Sequence, residues 1–294
     1  MRLRSLMVGT VTAALALSLT ACGKSSDSGS GNPSVDAKAS FEAGTTMAAL
    51  NQAGKIRIGT KFDQPLFGLK GLDGKPTGFD VEVAKLLAAK LGLSADKIEW
   101  VETPSKVREE VIEQGKVDLV VATYTINDKR KERISFAGPY YEAGQDLMVK
   151  KDNDKITDQN SLKDAGAKVC SVTGSTPAET IKKYIDEKNL VLFDVYSKCA
   201  DALKNNQVDA VTTDNVILLG LVDKSEGAYK LVGKPFTKEP YGIGIKKGDT
   251  KFCQFINDTL KAAAADGSYE KAWKDTAGKV APNTPKLPET ATCS

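Results

Sequence analysis

Gln114–Thr125, QGKVDLVVATYT, and Asn206–Asp214, NQVDAVTTD, follow one local plan. Each comes after a segment with helical spacing, turns through polar residues, sets Val-Asp ahead of an apolar strand and ends on hydroxyls or a carboxylate. A helix, a tight turn and a buried strand make the repeating unit of α/β proteins, and its recurrence predicts two similar lobes.

Working outward, the same alternation fills the chain. Lys55–Thr60 (KIRIGT) predicts a short strand. Over Phe79–Leu91, the residues Ala84, Leu87, Ala88 and Leu91 recur at helical spacing and Gly92 stops the helix. Ile98–Val101 predicts a strand, Ser105–Gln114 a helix capped by Ser105, and Val117–Ala122 a buried strand. Further on, Lys168–Val172, Leu190–Tyr196 and Val208–Thr212 predict strands, with helices over Pro177–Lys188 and Ser197–Asn205. The fold class is α/β with mostly parallel sheets.

Composition narrows the function. The 294 residues carry 41 Lys+Arg against 38 Asp+Glu, a length for about two domains and a balance that gives nucleic-acid binding no basic stripe. Histidine is absent, which excludes His-containing zinc sites, the Ser-His-Asp triad and a haem proximal histidine.

The N-terminus reads as an export signal. Met1–Arg4 is a short basic start, and the apolar run Leu6–Leu19 is shorter than the ~20 residues a membrane span needs. Leu19-Thr20-Ala21-Cys22 resembles the lipobox of bacterial lipoproteins. The expectation is a signal peptide over residues 1–21, a lipid on Cys22 and a flexible tether over 22–40. Six serines and three glycines between Gly23 and Ser40 cannot bury a core. Without residues 1–21 the chain keeps 39 basic and 38 acidic residues, so gross charge selects no partner. Cys170, Cys199, Cys253 and Cys293 form an even set, which in an exported chain predicts disulfides. Of three possible pairings, Cys170–Cys199 and Cys253–Cys293 are favoured because each staples sequence expected within one lobe. No CxxC spacing points to redox or zinc chemistry.

Open α/β sheets bind ligands beyond the carboxyl ends of their strands. There the chain offers Lys61-Phe62-Asp63-Gln64; Thr103-Pro104-Ser105 and Arg108; Thr123, Tyr124, Thr125 and Arg130; Thr173–Thr176; and Thr213 with Asp214. No two carboxylates form an obvious acid/base pair. Thr176-Pro177-Ala178-Glu179 has the capping-box pattern, which places the Gly174–Thr176 amides at a helix N-terminus, where a carboxylate is favoured. Arg130 stands in a first helical turn against the dipole, which predicts an anion for it. Asp214 suits an ammonium.

Gly78-Phe79-Asp80-Val81-Glu82-Val83, followed by the Ala84–Ala88 helix, resembles the signature of family 3 extracellular solute-binding proteins, the polar-amino-acid receptors of ABC importers. The resemblance runs through Val117–Arg130, Ser135–Tyr141, Val208–Asp214 and Tyr241–Ile245 in family order. It implies a two-lobe, type II periplasmic-binding-protein-like fold, with 41–145 plus 241–294 as lobe 1 and 146–240 as lobe 2. The crossings are expected near Gly144–Lys150 and Pro235–Ile243. It further implies that Arg130 binds the ligand α-carboxylate, helped by Thr125 and the amides of Ser175 and Thr176, that Asp214 binds the α-ammonium, and that Thr123 contributes a carbonyl or hydroxyl.

Lys61, Ser105 and Arg108 resemble the side-chain pocket of the glutamate/aspartate branch. Lys61, Arg108 and Arg130 against Asp214 leave +2, so glutamate is expected first and aspartate second, with glutamine or another polar amino acid as the alternative. Asp80 and Glu82 are read as fold determinants. The resemblance implies no cofactor, no metal and no catalysis. It implies a monomer held by its lipid on the outer face of the cytoplasmic membrane, in the Gram-positive arrangement, serving importer permease subunits. Cyclohexadienyl dehydratases and sensory receptors share such a fold and stay as alternatives.

Overall fold

The computed structural model describes residues 31–281 and 283–293. The signal peptide, Cys22 and the tether as far as residue 30 lie outside the described residues. Asp36 donates its backbone N–H to the Ala89 carbonyl at 2.9 Å, and Ala39 turns back onto Asp36. Thus Asp36–Ala39, placed in the tether by composition, lie against the end of the helix Phe79–Lys90.

Two five-stranded sheets carry the fold, in the same order. The first runs Ile98–Glu102, Ile56–Thr60, Leu119–Val120, Glu239–Ile245, Ser135–Ala143. The second runs Leu190–Phe193, Val169–Val172, Ala210–Asp214, Gln145–Lys150, Tyr229–Leu231. In each, the first three strands are parallel and the last two antiparallel to their neighbours. The repeated Val-Asp has a physical basis. Asp118 Oδ2 accepts from the Arg57 N–H at 2.7 Å, and Asp209 Oδ2 accepts from the Lys168 N–H at 2.8 Å. Each aspartate thereby fixes the entry of its lobe's central parallel strands.

The chain passes from the first sheet to the second at Gly144, between strands Ser135–Ala143 and Gln145–Lys150. It returns between Tyr229–Leu231 and Glu239–Ile245. Glu239 pairs with Ala143 at this junction. A small antiparallel sheet, Asp63–Gln64, Gly68–Lys70 and Pro76–Thr77, projects from the first lobe.

Aromatic packing closes the first lobe. Trp273 stacks on Tyr141 at 5.3 Å and meets Phe79 edge-on at 5.1 Å. This ties the C-terminal helix Ser268–Asp275 to the signature helix. Such pairs add about 0.5–1.5 kcal/mol beyond area burial. Cys170–Cys199 joins a strand to the helix Tyr196–Lys204, and Cys253–Cys293 pins the C-terminal segment.

Several boundaries differ from the sequence reading. The segment expected as one helix over Ser105–Gln114 is a 3-10 turn, Ser105–Val107, followed by the helix Arg108–Glu113. Ser105 does not cap it, because its hydroxyl accepts from Lys61 Nζ at 2.9 Å. The helix expected over Pro177–Lys188 covers Thr176–Ile181 and gives way to a 3-10 turn at Glu187–Asn189. Its N-cap is Ser175, whose Oγ accepts from the Ala178 N–H at 3.1 Å. Glu179 pairs forward with Lys182 instead of back to the cap. The cap lies one residue before the Thr176 that the capping pattern predicts, because the Thr176 hydroxyl donates to the Glu239 carboxylate.

Candidate functional site

The carboxyl ends of both sheets face one small cavity between the lobes. Ser105, Arg108, Thr123 and Thr125 line it from the first lobe; Ser175, Thr176, Tyr196, Thr213, Asp214 and Ile217 line it from the second. It measures about 10 Å³, the space of about one water. The lobes are therefore closed, and an amino acid needs them to part or the lining side chains to shift.

On the first lobe, Arg108 lies flat over the Tyr124 ring, 4.0 Å from its centroid. Its Nε donates to the Ser105 carbonyl at 3.4 Å and its Nη1 to the carbonyls of Ala122 and Thr123 at 2.9 and 3.3 Å. Nη2 forms no such bond among the described residues. Thr123 has φ +44°, a region L side chains rarely adopt. The signature residue Asp80 holds it there, accepting from the Thr123 N–H at 2.8 Å and from the Tyr140 hydroxyl at 2.6 Å. Burial pushes the Asp80 carboxyl up to about 7, against these two hydrogen bonds. Asp80 thus serves the site as well as the fold.

On the second lobe, Asp214 is fully enclosed. Its Oδ2 accepts from the Tyr241 hydroxyl at 2.6 Å, and its Oδ1 has no partner. It stands at the N-cap position of the helix Asn215–Lys224 without a side-chain cap bond. Burial, with Glu239 nearby, pushes its carboxyl up to about 7. Such a group gains most from a buried cation.

Lys61 and Arg130 are not among the residues lining this cavity; Arg130 lines a neighbouring cleft with Glu109, Gly174, Ser175 and Thr176. Burial, reinforced by Arg108, lowers the Lys61 ammonium to about 7. Lys61 reaches the cavity through Ser105. Arg130 donates from Nη1 to the Thr125 carbonyl at 2.5 Å and from Nη2 across the lobes to the Gly174 carbonyl at 3.1 Å. Its Nε meets Glu109 at 3.2 Å. Burial, with Arg108 near, lowers its guanidinium to about 10. The Ser175 amide, expected to be open to a carboxylate, donates to the Val172 carbonyl at 3.2 Å.

Sequence reasoning missed several participants. Glu239 is buried at the lobe junction, where its Oε2 accepts from Thr176 Oγ1 at 2.7 Å and Oε1 from Thr237 Oγ1 at 2.9 Å. Thr237, two residues away, gives no signal of its own, and the other partner, Thr176, arrives from a distant second-lobe helix. Glu109 reads in sequence as a surface acid, yet is only 9% exposed. Tyr196 and Ile217 line the cavity from helices with no motif. The count of +2 does not survive. Lys61, Arg108 and Arg130 share the buried region with Asp80, Glu109, Asp214 and Glu239, so selectivity must come from placement and not from net charge.

Two lobes closed over a cavity that is cationic on one wall and anionic on the other are suited to holding a small zwitterion. The chain belongs to the bacterial extracellular solute-binding proteins, family 3, whose model matches residues 56–276. It is 40% identical to the glutamate-binding protein GluB of Corynebacterium efficiens over 93% of this chain and 91% of that protein. It is also 40% identical to the ABC transporter glutamine-binding protein GlnH of Bacillus subtilis, over 87% of this chain and 90% of that one. Among solved structures, an ancestral arginine-binding protein bound to glutamine superposes with a TM-score of 0.71 at 38% identity, covering 76% of this chain and 97% of that one. Each of these relatives is named as an amino-acid-binding protein. Among the described residues no helix is long and apolar enough to cross a membrane.

Proposed function

We propose that the protein is the amino-acid receptor of an ABC importer and that its ligand is an acidic amino acid, glutamate first and aspartate second. The observation that carries this reading is one cavity lined by both Arg108 and Asp214: Asp214 Oδ1 is buried without a partner, and Arg108 hydrogen-bonds through Nε and Nη1, with none from Nη2 among the described residues. Asp214 takes the α-ammonium. Arg130 and Thr125 take the α-carboxylate, which would replace the Gly174 carbonyl as the acceptor of Arg130 Nη2. Ser105, Arg108 and Lys61 take the side-chain carboxylate; a carboxylate beside Lys61 would restore the ammonium charge that burial suppresses. Closure follows from the ligand's greater affinity for the closed form. The lipid on Cys22 keeps the receptor at the outer face of the membrane, next to its permease.

Calorimetric titration of residues 23–294 with glutamate, aspartate, glutamine and lysine, after unfolding and oxidative refolding, tests this. Glutamate binding that is micromolar or tighter, with much weaker glutamine, is the expected result. Glutamine binding as tightly as glutamate removes Lys61 and Arg108 from side-chain recognition. No binding at all overturns the receptor reading and sends the chain to a prephenate-turnover assay.

A further inference from the structure

Asp63 lies in the small sheet of the first lobe, yet its carboxylate is spent on the second. Oδ2 accepts from the Tyr196 N–H at 2.8 Å and the Ser197 N–H at 3.4 Å. These are the first amides of the helix Tyr196–Lys204, whose own N-cap residue, Val195, provides no side-chain cap. Helix N-termini leave such amides unsatisfied and carry partial positive charge. The missing cap is therefore supplied across the cleft.

Two residues on, Pro65 makes a second crossing. Gly220 sits inside the helix Asn215–Lys224, where a Cβ would lie 2.5 Å from the Pro65 carbonyl oxygen. Glycine in a helix interior is unfavourable by about 1 kcal/mol against alanine. Its conformation here is ordinary, so the local backbone does not require it; the close approach of the first lobe does. Asp63, Pro65 and Gly220 do not line the cavity, although Tyr196 and Ile217 on the same two helices do.

We propose that Asp63–Pro65, seated on these two helices, is a closure latch that sets how long the closed receptor retains its ligand without touching it. It rests on the reading of the protein as a receptor that closes on an amino acid. The Asp63 cap and the Pro65–Gly220 contact both join the two lobes, so parting the lobes would break them, and both act on the open–closed equilibrium and hence on apparent affinity.

The test uses Asp63→Ala and Gly220→Ala in the mature chain, with glutamate titration, stopped-flow dissociation and thermal unfolding without added ligand. Asp63→Ala is expected to weaken glutamate by about tenfold or more, the scale of a charge-assisted hydrogen bond, through faster dissociation. Gly220→Ala is expected to weaken glutamate at least as much, while its unfolding temperature stays level or rises because alanine favours the helix. That opposition separates a latch from a merely structural contact. Wild-type affinity in Gly220→Ala, or loss of affinity only in step with lost stability, overturns the latch. If the wild type binds none of the four amino acids, the receptor reading fails instead. The latch is then read from paramagnetic relaxation of first-lobe amides by a spin label at exposed Leu192, introduced as Leu192→Cys. Gly220→Ala must lower the closed population, and an unchanged population overturns it.

Discussion

Replacing Asp214 by asparagine keeps the side chain's size and the Tyr241 contact but removes the charge. In the closed form this carboxylate has one partnered oxygen and one buried, unpartnered oxygen. The rise of its pKa from 3.8 to about 7 corresponds to about 4 kcal/mol against the ionised form. A bound ammonium would relieve that cost, so it becomes part of the preference of ligand for the closed receptor. Asp214→Asn should therefore lose about 3–5 kcal/mol of binding, the range for breaking a buried ion pair, or roughly 10²–10³-fold in Kd. The chain without added ligand should be at least as stable as wild type at pH 8, because the variant no longer buries an unpaired charge. Calorimetric titration with glutamate and urea unfolding read the two quantities. A Kd within about threefold of wild type, or a stability loss above about 1 kcal/mol, would refute the reasoning.

Neutralising Lys61 and Arg108 together, as Lys61→Met with Arg108→Gln, should weaken glutamate by about tenfold or more relative to glutamine; equal losses in parallel titrations would remove both from side-chain recognition. The stability of the chain without ligand should pass through a minimum near pH 7. Asp80 and Asp214, raised to about 7, contribute stability that is present below about pH 4 and lost as pH rises to 7. Lys61, lowered to about 7, contributes stability present above about pH 10.5 and lost as pH falls to 7. Urea midpoints at pH 5, 7 and 9 check the sign, and a maximum at pH 7 would contradict it. Removing the Cys253–Cys293 bridge with two serines opens a loop with sequence separation 40. Loop-closure entropy puts the loss near 4 kcal/mol, while glutamate affinity should stay within about threefold, since neither cysteine lines the cavity.

Much of this molecule was legible in one dimension. The helix–turn–Val-Asp–strand plan is local, and Asp118 and Asp209 perform the same backbone bond in both lobes. The strand ends named Ser105, Arg108, Thr123, Thr125, Ser175, Thr176 and Asp214, all of which the structure gathers around one cavity. Periodicity and strand-end position are properties of neighbouring residues, and a sequence records neighbours. What only the tertiary structure decided is how these groups are spent. Thr176 turns to Glu239 instead of capping its helix, Ser105 serves Lys61, and Arg130 is held by Thr125, Gly174 and Glu109. The buried acids that cancel the cations arrive from distant segments, so charge counting along the chain could not include them. A hydrogen bond goes to whichever partner lies in reach after folding, and burial, which shifts the titration of Lys61 and Asp214, exists only in the folded chain.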